Sequence, residues 1–220
     1  MMLKLHGFCA SNYVNMVKFA LLEKGADHQF VIQYPDQNAD TLAISPMGKM
    51  PVLETEHGML TETRVILEYI DQVADGPTLF PADPFQRAHV QQLMHMIELY
   101  LELPARSCYP EAFFGGQVSD DIKQRARDAL PKGARALARV SSFSPYIAGE
   151  ALSAADALFL YSFDLAATTA SKLFDLDLFK EAPGSMELHG RLNERASAKQ
   201  IAADRDASMA DFFQYVRGHK

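Results

Sequence analysis

GKMPVLETEHGMLTETRVILEYID, running from Gly48 to Asp71, is the stretch whose reading decides how this chain folds. Met50, Val52 and Leu53 form a short apolar run interrupted by Pro51. His57-Gly58 follows and supplies a residue able to take positive φ, so two short strands meet in a hairpin. Thr61, Glu62 and Thr63 then open a helix whose apolar positions Val65, Ile66, Tyr69 and Ile70 recur at helical spacing. Proline cannot donate to a β-ladder and normally demotes a strand to an edge. Here it makes better sense as a chain reversal that turns the neighbouring backbone N–H and C=O outward, toward a ligand.

Upstream, Leu3 and Leu5 alternate with Lys4 and His6, a strand pattern. A helix is expected over Tyr13–Glu23 and stops at Lys24-Gly25, with a cation in the last turn and glycine just past it. QFVIQ, Gln29–Gln33, reads as a second strand, parallel to the first because a helix separates them. Ala39–Ile44 is too short to assign, and the final helix of this half is expected over Glu62–Val73. The order β-α-β-(α)-β-β-α is that of a thioredoxin-like domain built on a mixed four-stranded sheet.

Gly76–Pro84 holds three prolines in nine residues, a density of missing donors that no helix survives. Beyond it the strand signals stop. Val90, Leu93, Met94, Ile97 and Leu101 share one helix face that ends or kinks near Pro104. Further helices are expected over Ile122–Ser141 and Ala154–Lys172, with weaker ones over Leu188–Ile201 and Met209–Val216. Ser153-Ala-Ala-Asp156 is a capping box that starts a buried helix. The fold class is therefore α/β plus all-α: residues 1–76, a linker over 77–85, and an all-helical domain over 86–220.

A net charge of −7 argues against nucleic acid and anionic membrane, both of which attract basic patches. The chain has only two cysteines, Cys9 and Cys108, which is no disulfide framework. Met1–Lys4 runs directly into LKLHGF without the apolar core of a signal peptide, and no apolar run nears the length of a bilayer span. A cytoplasmic location is expected. The seven histidines are scattered, none in an H-E-x-x-H pattern, so no metal is expected.

Taken together, the proline strand, the Glu62-Thr63 helix start and the GFCASNYVNMV segment resemble the cytosolic glutathione S-transferase family, of a serine-type, bacterial-like kind. Ser11, read alone, is an N-cap. The resemblance makes it the catalytic serine, six residues before the apolar helix position Val17, donating a hydrogen bond to the glutathione sulfur. It likewise implies that Met50 precedes a cis Pro51 and pairs by its backbone with the cysteinyl part of glutathione. Lys49 meets the glycyl carboxylate, and Glu62 and Thr63 hold the γ-glutamyl end. Tyr100, Tyr109 and Phe113, near the end of the long helix, are the electrophile-pocket residues it suggests. The expected activity is conjugation of the glutathione thiolate to small hydrophobic electrophiles by a homodimer.

Two other functions stay open at this point. A thiol beside a helix N-terminus can have a lowered pKa, so Cys9 is the alternative nucleophile, of a glutathione-dependent thiol–disulfide reductase. The family often places Arg or Lys one or two residues before the apolar position, where this chain has Asn15 and Met16. That departure favours a non-catalytic glutathione-binding protein of the same fold.

Overall fold

The computed structural model describes residues 2–218. Met1, His219 and Lys220, at the outer ends of the two expected domains, lie outside the described residues. In chain order the first elements are β1 (Leu3–Gly7), α1 (Asn12–Glu23), β2 (His28–Ile32), α2 (Ala39–Ile44), β3 (Val52–Thr55), β4 (Gly58–Leu60) and α3 (Thr63–Val73). The sheet order is β2-β1-β3-β4. β1 and β2 run parallel, Leu5 beside Phe30, as a helical crossover requires. β3 and β4 complete the sheet by antiparallel pairing. Pro51 stands just outside the ladder, since β3 begins at Val52.

The core of this unit is the inward face of the sheet closed by two helices: Leu3, Leu5, Val52 and Leu53 pack with Val14, Val17, Leu21, Ile66 and Ile70. Gly7 lets α1 approach, because a Cβ there would stand 2.5 Å from a Val14 methyl. Lys24 does more than cap α1. Its ammonium is buried and donates to Asp71 at 3.2 Å and to the Pro77 carbonyl at 3.1 Å, while Asp71 accepts from Leu79 N–H at 2.6 Å. The proline-rich stretch is thereby tied to the first unit.

The remaining elements are helical. They comprise α4 (Pro84–Ile97), a π-turn (Glu98–Glu102), α5 (Leu103–Arg106), α6 (Tyr109–Phe114) and α7 (Asp120–Ala138). Then follow α8 (Ala154–Leu158), a second π-turn (Phe159–Phe163), α9 (Asp164–Phe174), α10 (Leu178–Glu181), α11 (Ser185–Asn193) and α12 (Ala196–Gly218). The expected break near Pro104 takes the form of the first π-turn. Pro104 has no N–H for the Tyr100 carbonyl, and the widened turn lets Leu103 N–H reach back to Glu98 instead. Gly133 of α7 packs on that Tyr100 carbonyl, where a Cβ would stand only 2.5 Å from its oxygen. Gly133→Ala should therefore destabilise the protein by about 1–3 kcal/mol, read as a lowered denaturant midpoint at constant m-value.

Compactness divides the chain differently from the expected 86–220 domain. One unit is Met1–Leu79 together with Glu194–Lys220, and the other is Phe80–Asn193. The reason lies in α12. The weak helices expected over Leu188–Ile201 and Met209–Val216 are in fact α11, which ends at Asn193, and one 23-residue helix. Arg195 and the Ser197 hydroxyl both donate to Glu23, and Lys18 donates to Asp204 at 2.5 Å. These bonds hold α12 along α1. Among the described residues no helix is long and apolar enough to cross a membrane.

Candidate functional site

The register of the sheet gathers the sequence-predicted residues of the first unit at one end of its strands. His6 is opposite Val52, so the end of β1, leading to Ser11, lies beside the Met50-Pro51 step that leads into β3. Leu60 is opposite Leu53, so the chain leaving β4 passes the same end of the sheet as it becomes Glu62-Thr63. Three segments distant in sequence thus converge.

Ser11 is the N-cap of α1: its side-chain oxygen accepts from Val14 N–H at 3.3 Å, and its own N–H donates to the Phe8 carbonyl at 3.0 Å. Accepting that bond leaves the hydroxyl proton free to donate. Capping and donation to a ligand are therefore compatible in this residue. Asn15, one turn on, donates from Nδ2 to the Cys9 carbonyl at 2.9 Å and so fixes the approach to the serine.

The Met50-Pro51 peptide is cis, and the Met50 side chain is buried. Among the described residues the Met50 backbone forms no hydrogen bond with another residue. Its neighbours are firmly held. The Ser45 hydroxyl donates to the Lys49 carbonyl at 2.7 Å, and its oxygen accepts from Lys49 N–H at 3.0 Å. Gly48 adopts φ 64°, and a Cβ there would stand 2.1 Å from the Asp36 carbonyl, so only glycine fits. The Lys49 side chain is exposed.

Glu62 occupies the cap of α3 with φ 67° and ψ 108°, a conformation rare outside glycine, and its side chain makes no capping bond. The first helical bond is Ile66 N–H to the Glu62 carbonyl, which leaves the N–H groups of residues 63–65 unused by the helix. Thr63 is buried at this terminus. Sequence reasoning missed the positive φ of Glu62, for no glycine or asparagine marks it.

The three pocket residues expected in the second unit have different settings there. Tyr100 is half-exposed. Tyr109 is buried, and its hydroxyl donates to the fully buried Glu102 carboxylate at 2.9 Å, with Arg106 on the other oxygen. Phe113 meets the Tyr109 ring edge-on and carries the Lys172 ammonium 4.8 Å from its centroid. Among the described residues no group of His, Cys, Asp and Glu is placed to hold a metal ion.

A model of the glutathione S-transferase N-terminal domain matches residues 5–78. A glutathione S-transferase of Pseudomonas putida is 49% identical over 219 residues, spanning 100% of both chains. The solved structure of a poplar glutathione transferase F1 variant superposes with a TM-score of 0.79 at 20% identity, covering 94% of this chain and 99% of that one. A Methylobacterium radiotolerans glutathione S-transferase, solved in complex with glutathione sulfonate, superposes at 0.75 with 21% identity, covering 91% and 94%.

Proposed function

This chain belongs to the glutathione S-transferase family and is a glutathione transferase, and from that premise we propose that Ser11 activates the glutathione thiol for attack on small hydrophobic electrophiles. The observation that carries this reading is the convergence, at one end of the strands, of a capping hydroxyl, an unpaired backbone step and a helix N-terminus. Each suits one part of a tripeptide. The N–H groups at the start of α3 and the Thr63 hydroxyl donate to the γ-glutamyl carboxylate, helped by the positive end of the helix dipole. The Glu62 carboxylate pairs with the amino group at that end. Met50 offers its N–H and C=O to the cysteinyl unit as another strand would, and Lys49 meets the glycyl carboxylate.

This arrangement leaves the sulfur beside Ser11. Lowering a thiol pKa from about 8.5 by one or two units needs roughly 1.4–2.8 kcal/mol. One hydrogen bond to a charged atom contributes about 1.5–3 kcal/mol, so a hydroxyl at a helix N-terminus is enough without a cation at Asn15 or Met16. The working form is a cytoplasmic homodimer whose electrophile is small and hydrophobic.

Calorimetric titration of glutathione tests the ligand assignment. Glu62→Ala and Thr63→Ala should each lose about 1.5–3 kcal/mol of binding, one to two decades in affinity, with little change in melting temperature. Unchanged affinity in both variants would move the site elsewhere.

A further inference from the structure

α12 joins the core only near its start. Ser197, Ala198 and Ile201 are its buried residues, and no residue of 202–218 is buried. A segment that removes so little apolar surface from water adds little to stability by burial. Its contacts are aromatic and fall on two loops of the sheet. Phe212 stacks on Phe8 at 5.5 Å between centroids, with the ring planes 14° apart. Phe8 lies 5.3 Å from Tyr34, and Tyr34 stacks on Tyr215 at 4.3 Å. The Tyr215 hydroxyl donates to the Pro35 carbonyl at 2.6 Å. The four rings make one chain, in which Phe8 sits between a ring of α12 and a ring of the segment after β2.

Phe8 opens the turn that ends at Ser11. Its carbonyl accepts the Ser11 N–H at 3.0 Å, so a shift of Phe8 moves the serine. Close packing does not hold this turn on every side. Cys9, half-buried, lines a cavity of about 300 Å³ that also borders Phe8, Tyr34, and Ser208 and Gln214 of α12. A void supplies no contacts, so the turn is held at discrete points. From α1, Asn15 secures the Cys9 carbonyl. From α12, the Phe212 ring secures Phe8.

We infer that Phe212 is a positioning residue: acting through Phe8, it fixes the turn that presents Ser11. The outer half of α12 is thus a strap on that turn. A hydrogen bond from a hydroxyl weakens steeply with distance and angle. A displacement of the order of 1 Å at a reacting centre costs about a hundredfold in rate. The consequence for turnover rests on the proposed role of Ser11; the hold on the turn does not.

Alkylation of the full-length protein by N-ethylmaleimide without glutathione, followed by peptide mass spectrometry, reports on the turn at Cys9. Phe212→Ala should raise the Cys9 rate severalfold, and Phe212→Tyr, which keeps the ring, should leave it near the wild-type rate. Cys108 is fully buried in the second unit, so its continued protection shows that the fold has survived. If Phe212→Ala exposes Cys108, Phe212→Leu takes its place, keeping apolar bulk without a ring. With glutathione and a reactive aryl halide, the ringless variant should turn over about tenfold or more slowly at pH 7. Its pH–rate midpoint should move upward, because a misaimed serine stabilises the thiolate less. A Cys9 rate unchanged in the ringless variant, or one raised equally in Phe212→Tyr, overturns the inference. Faster alkylation with an unchanged pH–rate profile upholds the hold of Phe212 on the turn and overturns the role of Ser11 instead.

Discussion

Replacing Asp156 with alanine is expected to cost about 3–5 kcal/mol of stability, since it breaks a buried polar network by removing its acceptor. Asp156 is fully buried near the start of α8. One carboxylate oxygen accepts from Ile147 N–H at 2.8 Å, and the other from both the N–H and the hydroxyl of Ser153 at 2.8 Å. Alanine would leave the Ile147 N–H and the Ser153 N–H and hydroxyl without their acceptor. The same residue gives a pH signature. Burial pushes its carboxyl up to about 6, against the pull of the Ile147 and Ser153 donors. Its native pKa thus exceeds the unfolded value of about 4, so the folded state holds the proton more tightly. The resulting stability is fully present below about pH 4 and is lost as pH rises through about 6. Asp156→Asn removes the titration. Its penalty relative to wild type should accordingly be about 1 kcal/mol larger at pH 5 than at pH 7, measured by denaturant unfolding at both.

That network was half legible. The serine and aspartate three residues apart announce a capping box from local chemistry alone. Ile147 does not, because it reaches Asp156 through a loop whose path no spacing encodes. The same division runs through the fold. β1, α1 and the hairpin of β3 and β4 were readable because alternation and helical periodicity are local signals. The course of α12 was not: its placement depends on Arg195 and Ser197 meeting Glu23, more than 170 residues away. At the candidate site, residue types were legible and backbone states were not. Glu62 takes a left-handed φ without the glycine that would advertise it, and the π-turn before Pro104 shows in sequence only as a break. The Lys24 ammonium read as a helix-end cation, yet it is spent on Asp71 and Pro77, partners supplied by tertiary packing.

Ser11→Ala should lower turnover near neutral pH by roughly ten- to hundredfold, the equivalent of about 1.4–2.8 kcal/mol. In the proposed site the group that titrates is the thiol of bound glutathione, whose charged form a hydrogen bond from the serine would favour. Without that bond the thiol pKa rises, fewer sulfurs are ionised at pH 7, and much of the loss should return at alkaline pH. Glutathione affinity should change less, because the contacts proposed at Met50, Glu62 and Thr63 are untouched by the substitution. Ser11 also caps α1 through Val14 N–H, so alanine costs stability as well. Glycine separates the two roles: it caps nearly as well as serine but has no hydroxyl, so Ser11→Gly should be almost as stable as wild type and as slow as Ser11→Ala. A pH–rate profile for each variant, with a reactive aryl halide as electrophile, reads both effects. Full activity of Ser11→Ala at every pH, combined with loss of activity in Cys9→Ala, would instead make Cys9 the working thiol of a disulfide reductase and leave Ser11 as a cap alone.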